Sequence, residues 1–402
     1  MKRYAYIFVT LMLVLTACNH KELCYHHPHT ARVRINVDWS EFDREQPTGM
    51  TVMAFPAEGG TPYTSLGHTL DHATFDLLEG NYHTMTFNQS PSEFGSIDFC
   101  NMESFSDSEI KAAPIAARWY KTRMEQEQVV TDPEWLAIDS DMDNRVTEDM
   151  VSKTRHELDM NVRQSGLTEH LLTTHVPQNV IYTVHVKVNM RGIYNLRSAR
   201  AAMDGMAEGV KPSTREPLPS KVTHLMEAWK LTQDEEDPTR GYITASFQCF
   251  GLPFGHEARP GENRLMMSLL LVDNATQLHR MFQVGNRFRV DEKDDHILYV
   301  ELDWGDGLDY DPDDPEDPDF PDDPDNPDEP DGPDNPDNPD EPDDPDNPDN
   351  PDEPDDPDNP DDPDNPDDPG KLPDVKPEGG SSSGFDATVE EWGEEIEHDI
   401  KL

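Results

Sequence analysis

The chain has 402 residues, of which 84 are Asp or Glu and 32 are Lys or Arg, giving a formal net charge of −52. That balance excludes a nucleic-acid binder, because phosphate backbones are met by basic surfaces. The charge is uneven: 31 acidic residues fall between Asp309 and Asp368, where no Lys or Arg occurs, and the rest of the chain is long enough for two moderate domains.

At the N-terminus, Lys2 and Arg3 precede a mostly apolar run from Tyr4 to Leu15. These are the parts of a signal peptide. The run is shorter than the ~20 residues of a membrane-spanning helix. Leu15-Thr16-Ala17-Cys18 then matches a bacterial lipoprotein signal. Residues 1–17 are the expected leader, Cys18 the carrier of a covalent lipid, and residues 18–30 a polar tether. The plainer alternative is an ordinary secretory signal with a chance cysteine. Several acyl chains would anchor the protein firmly, at ~0.8 kcal/mol per buried CH₂. His20, His26, His27 and His29 cluster in the tether, but imidazoles make a zinc site only in a fixed geometry.

The body carries strand patterning. Val33, Ile35, Val37 and Trp39 alternate with Arg32, Arg34, Asn36 and Asp38, the period of two that buries one face. Met50 to Phe55 is a second strand, ended by the turn residues Pro56 to Gly60. Gly80-Asn81 introduces a third, Tyr82 to Phe87. From Asp107 to Glu127 the pattern loosens. A second set starts near Asn179, with Tyr182, Val184, Val186, Val188 and Met190 in alternation. A short helix is expected around Ser198 to Asp204. Tyr242 to Cys249, the nearly all-apolar Leu265 to Val272, and the alternating Leu298, Val300, Leu302 and Trp304 follow. Many short strands with Gly and Pro turns predict an all-β chain of two tandem β-sandwiches. The expected spans are 31–175 and 176–306, with the boundary near Thr173 to Asn179.

Three cysteines follow Cys18, and no two form a C-x-x-C pair, so zinc or redox chemistry has no support. Cys249 lies on the apolar side of its strand and reads as a buried thiol. Cys24 and Cys100 are the candidate disulfide.

Residues 307–378 form an acidic spacer. Proline stands at every third position from Pro312 to Pro369, and the residue after each of the first nineteen is Asp or Glu. Each proline removes a donor and fixes φ, so helix and sheet are excluded. Polyproline II has three residues per turn, placing the prolines on one edge and an acidic stripe on another; the alternative is a disordered acidic linker. Extended, the repeat would reach ~180 Å at ~3.1 Å per residue. Calcium binding by the repeat is a weaker reading, for want of a fixed cage. Residues 379–402 follow. There Phe385, Trp392, Ile396, Ile400 and Leu402 mark a terminal strand that needs a sheet edge, in its own body or in another subunit.

Asp139, Asp141 and Asp143 occupy positions 1, 3 and 5 of a calcium-loop pattern, but Asn144 replaces the glycine and Met150 the closing glutamate. A polar surface loop is the better reading. His156-Glu157 and His256-Glu257 each lack the second histidine of a zinc-protease helix. No G-x-S-x-G, P-loop or G-x-G-x-x-G is present. No catalytic residue, metal ligand or cofactor is assigned.

Several stretches resemble a family of uncharacterised Bacteroidales lipoproteins grouped with fimbrillin-associated minor pilins and anchors. They are the Cys18 to Thr30 start, Val37-Asp38-Trp39, Phe55-Pro56 with Gly59-Gly60, and Pro133-Glu134-Trp135-Leu136. Ser198 to Met206, Phe250-Gly251-Leu252-Pro253, Gly384-Phe385 and Glu391-Trp392 complete the set. The Pro-Asp block lies outside the resemblance. The resemblance implies two transthyretin-like or immunoglobulin-like sandwiches on the outer membrane or cell surface, without enzymatic activity. It also implies fimbrial subunits as partners through strand addition. A surface lipoprotein capturing a glycan or host protein is the second reading, and a hydrolase with dispersed residues the third.

Overall fold

A computed structural model describes residues 29–312 and 368–377, except 43–46, 68, 117–118, 121–126, 161, 164–165, 254 and 256–260. The strands in chain order are β1 (Thr30–Val37), β2 (Met50–Pro56), β3 (Tyr63–Gly67), β4 (His72–Leu78), β5 (Gly80–Phe87), β6 (Ile97–Cys100), β7 (Glu109–Ala112) and β8 (Val129–Val130). Then come β9 (Ala137–Val146), β10 (His170–His175), β11 (Gln178–Asn179), β12 (Tyr182–Arg191), β13 (Leu196–Ala207), β14 (Gly209–Lys211), β15 (Glu216–Pro217) and β16 (Lys221–Met226). The last are β17 (Lys230–Gln233), β18 (Arg240–Cys249), β19 (Arg264–Leu271), β20 (Gln277–Gln283), β21 (Arg289–Val290), β22 (Ile297–Asp303) and β23 (Leu308–Asp309). Helix α1 (Glu148–Asp159) lies between β9 and β10.

Contacts divide the chain into two compact units. Unit 1 holds the sheets β10-β1-β4, β11-β9-β5-β2-β3 and β15-β14-β7-β6. The alternation read in β1 is realised: Ala31, Val33, Ile35 and Val37 are buried and pack with Val52 and Ala54 of β2 and Phe75 and Leu77 of β4. β2 is buried on both faces. Phe55 meets Phe105 at 5.6 Å, and Phe87 of β5 meets Phe99 at 5.4 Å, so the β6–β7 sheet covers the second face. These edge-to-face pairs suit the ring quadrupole.

Unit 2 holds the sheets β17-β18-β12-β22-β21 and β23-β20-β19-β13-β16-β8. Val184, Val186 and Val188 of β12, Ile243 and Phe247 of β18, and Leu298, Val300 and Leu302 of β22 form one buried row. His224 of β16 lies against Phe247, with ring centroids 5.1 Å apart, joining the two sheets. In both units the central strand has one antiparallel and one parallel neighbour: β4 and β10 for β1, β18 and β22 for β12.

Three expectations need correction. Ser198 to Asp204 is not helical but part of the twelve-residue β13, paired with β16 on one side and β19 on the other. Alanine is the best helix former, but propensity is readily overridden by tertiary context, and a segment bonded on both edges inside a sheet takes the strand state. The single boundary near Thr173 to Asn179 is replaced by several crossings. Residues 114–132 belong to unit 2 and residues 209–216 to unit 1, because β8 pairs with β16 and β14 with β7. The spacer expected over 307–378 is shorter than that at both ends: β23 pairs with β20, and Leu372 is fully buried. Helix α1 is an element beyond those expected from the sequence; Thr147 caps it, its Oγ1 accepting from the Met150 N–H at 3.4 Å, with Glu148 and Asp149 in the first turn.

The Ser198 to Met206 stretch contains one backbone-determined position. Gly205 has φ +75°, and a Cβ there would lie 2.2 Å from the Glu262 carbonyl oxygen. Beside it, buried Asp204 accepts from the Arg264 N–H at 2.5 Å and from Arg264 Nε at 2.7 Å. Burial pushes the Asp204 carboxyl up, against the pull of Arg264. Gly205→Ala is expected to destabilise the protein by roughly 2–4 kcal/mol, from left-handed strain plus displaced backbone; urea unfolding measures it.

Candidate functional site

Cys18, Cys24, Phe385, Trp392, Ile396, Ile400 and Leu402 lie outside the described residues. Cys100 closes β6, half-buried, with no cysteine bonded to it among the described residues. Cys249 is fully buried, and burial pushes its thiol up to about 12, so it is an unreactive core thiol.

Asp139, Asp141 and Asp143 do not form a surface loop; they lie on β9, paired with β5. Tyr82 faces Asn144 and Thr84 faces Asp141, so β9 carries one extra residue there, a bulge. The carboxylate oxygens of Asp139 and Asp141 are engaged by the chain itself. Asp139 Oδ1 accepts from the Ser140 N–H at 2.9 Å, and its Oδ2 from the Val176 N–H at 2.7 Å. Asp141 Oδ1 accepts from the Asp143 N–H at 3.0 Å, and its Oδ2 from the Thr173 hydroxyl at 2.7 Å. Burial pushes the Asp141 carboxyl up, but these hydrogen bonds outweigh it and leave it below its ordinary value. A calcium cage needs six to eight free oxygens; these carboxylates instead fasten β9 to the end of β10.

Behind them sits His175, fully buried. Its Nε2 lies 2.8 Å from the Thr84 hydroxyl, which also accepts from Asn144 Nδ2 at 3.0 Å. Its Nδ1 has no hydrogen-bond partner among the described residues. Burial holds the imidazole below its ordinary value of 6.5, against the upward pull of Asp139 and Asp141. The folded state therefore binds fewer protons at His175 than the unfolded chain does just below pH 6.5. The stability it supports is present above that pH and is lost as pH falls from there through the lowered folded value. The urea midpoint should drop between about pH 7 and pH 5, and His175→Gln should flatten that drop.

A feature that the sequence does not reveal is a cleft of about 640 Å³ in unit 2. Lys187, Asn189 and Arg191 of β12, Arg240 and Tyr242 of β18, and Trp304 to Asp306 line it, together with Asp368 to Gly370. Several of its charges are paired. Lys187 Nζ contacts Glu301 at 2.7 Å and lies 4.8 Å from the Tyr242 ring centroid. The Lys187 hydrogen bond, with that of Asn189, holds the Glu301 carboxyl low. On the same outer face His185 stacks on Tyr299, centroids 5.3 Å apart, and Tyr299 is 41% exposed. The polar phase of β12 is visible in the sequence, but the cross-strand register that brings these side chains together is not.

His185 Nδ1 lies 2.6 Å from the Ser246 hydroxyl. No carboxylate among the described residues orients that imidazole, as a serine nucleophile would require. Ser268 and His279 make a second such contact, at 2.9 Å. Asp294, Asp295 and His296 bring donor atoms within 4.8 Å of one another, with His296 Nδ1 2.8 Å from Asp295. No helix among the described residues is long and apolar enough to cross a membrane.

By its fold the chain is an all-β protein of paired sandwiches. It belongs to the family described as Domain of unknown function (DUF5119), which matches residues 17–227, more than half of its length. A candidate adhesin from Bacteroides ovatus is similar in structure at 15% identity and a TM-score of 0.49, covering 73% of this chain and 97% of that one. The fimbrial anchor protein Mfa2 from Porphyromonas gingivalis shares 9% identity over 68% of this chain and 90% of its own, with a TM-score of 0.41. The tip fimbrial protein Mfa3 from the same organism, with a C-terminal truncation, gives 10%, 63%, 81% and 0.26 in the same order. No curated protein matches in sequence.

Proposed function

We propose that this is a lipid-anchored protein of the outer membrane, facing the cell surface, with a structural rather than catalytic role as a minor pilin or anchor of fimbriae. The observation that carries the reading is Leu15-Thr16-Ala17-Cys18, a lipoprotein signal that ends shortly before β1 begins at Thr30. The residue-level resemblance to lipoproteins grouped with fimbrillin-associated proteins supports it. An exposed sheet edge is what strand addition by a fimbrial subunit would use. β17 ends its sheet with four mostly exposed residues, Leu231 among them at 42%.

A second reading, capture of a glycan or host protein, is favoured by one observation. Tyr299 stands exposed on the outer face of the β12 sheet, beside the polar cleft that contains Tyr242. Aromatic faces and paired polar groups are what sugar rings require.

Cys18→Ser tests the anchor. Metabolic labelling with a fatty-acid probe should be lost, and the protein should leave the membrane fraction. Unchanged labelling sinks the reading. Capture of fimbrial subunits from native membranes by the wild-type protein separates the first role from the second; Tyr299→Ala should weaken glycan retention only under the second.

A further inference from the structure

At its far end β12 changes partners. β22 accompanies it in parallel as far as Asn189, opposite Asp303. Two residues on, Arg191 forms a parallel bridge with Lys371. The Arg191 N–H donates to the Gly370 carbonyl at 3.0 Å, and the Arg191 carbonyl accepts from the Leu372 N–H at 2.9 Å. The new neighbour comes from the other side of the Pro-Asp repeat.

This short segment is held at both ends and in its middle. Arg191 forms an ion pair with Asp368 at 2.9 Å. Asp374 accepts from the Tyr194 hydroxyl at 2.6 Å and from Asn195 Nδ2 at 3.1 Å, which keeps its carboxyl below the usual range. Leu372 is fully buried. Two glycines make room. A Cβ on Gly192, whose φ is +68°, would lie 2.9 Å from the Leu372 carbonyl oxygen, and one on Gly305 would lie 3.1 Å from the Gly370 nitrogen. Arg280 ties the two flanks of the repeat together. Its Nε donates to Asp309 at 3.2 Å and its guanidinium to the Pro369 carbonyl at 2.8 Å, while it also donates to the Trp304 carbonyl. The same guanidinium lies 5.0 Å from the Trp304 ring centroid.

We propose that unit 2 contains a peptide-binding groove, walled by Gly192, Gly305, Arg191 and Arg280, that is filled in cis by Asp368 to Asp374. It selects a short extended peptide with a carboxylate at each end and one apolar side chain between them. The described residues on either side of the Pro-Asp repeat consequently meet at Arg280.

The test uses the full chain with a site-specific protease sequence inserted after Asn338. The folded protein is cut and passed over a native sizing column. The fragment from the cut to Leu402 should remain with the body, and an excess of synthetic peptide spanning Asp368 to Asp374 should displace it. Replacing Arg191 and Arg280 together by alanine should weaken retention about tenfold or more, the scale of a lost charge-assisted contact. Leu372→Asp should abolish it. Release of the wild-type fragment on cutting overturns the proposal. So does retention that disappears when residues 378–402 are deleted, since the terminal segment would then be the contact. Exchange of differently tagged copies in the uncut protein overturns filling in cis by showing that the groove is filled in trans.

Discussion

A central strand must be hydrogen-bonded along its whole length, because a buried backbone group without a partner costs as much as a lost bond. β12 meets this demand with β18 on one side for all ten of its residues. On the other side β22 runs out at Asp303, where the chain turns off into the short 3₁₀ turn Trp304–Asp306. Gly370 and Leu372 take up the remaining groups of Arg191. The cleft, the grip of Arg280 and the burial of Leu372 all follow from that handover. The parallel neighbours of β1 and β12 impose a second demand, since a parallel pair cannot be joined by a tight hairpin. The chain must travel before it returns, and it does so through residues 38–169 between β1 and β10 and residues 192–296 between β12 and β22.

The strands whose one face is buried and the other wet were legible from residue order alone. β1, β12, β18 and β22 show the alternation as a physical period, and their buried residues are the ones the period selects. β13 was not legible, since Ala199, Ala201 and Ala202 are small enough to suit either state and its identity comes from its two neighbours. Asp139, Asp141 and Asp143 misled for a related reason. A carboxylate at every second position marks a metal loop or one face of a strand equally well, and only the Thr173 and Val176 donors decide between them. His175 and the cleft depend on residues more than fifty positions apart, which no local pattern encodes.

The residues that carry the family resemblance are mostly architectural. Trp39 donates from its indole to the Leu70 carbonyl at 2.8 Å. Glu134 accepts from the Gly95 N–H at 2.6 Å and the Ser96 N–H at 3.1 Å, pinning the chain beside fully buried Leu136. Gly251 has φ +83°, and a Cβ there would press on Tyr182 at 2.9 Å. Such positions preserve a fold while leaving its outer surfaces free to change, so membership of the family constrains architecture more tightly than partner.

The single guanidinium of Arg280 meets Asp309 on one side of the repeat and Pro369 on the other. The two sandwiches therefore set no requirement on how many triplets lie between those contacts. Loop-closure entropy rises only as the logarithm of length, about 0.6 kcal/mol for each doubling. Slippage in the coding sequence, three codons at a time, can lengthen or shorten the repeat in this lineage at almost no thermodynamic cost. Descendant proteins with the same paired sandwiches are then expected to carry different numbers of Pro-Asp triplets at this one insertion point.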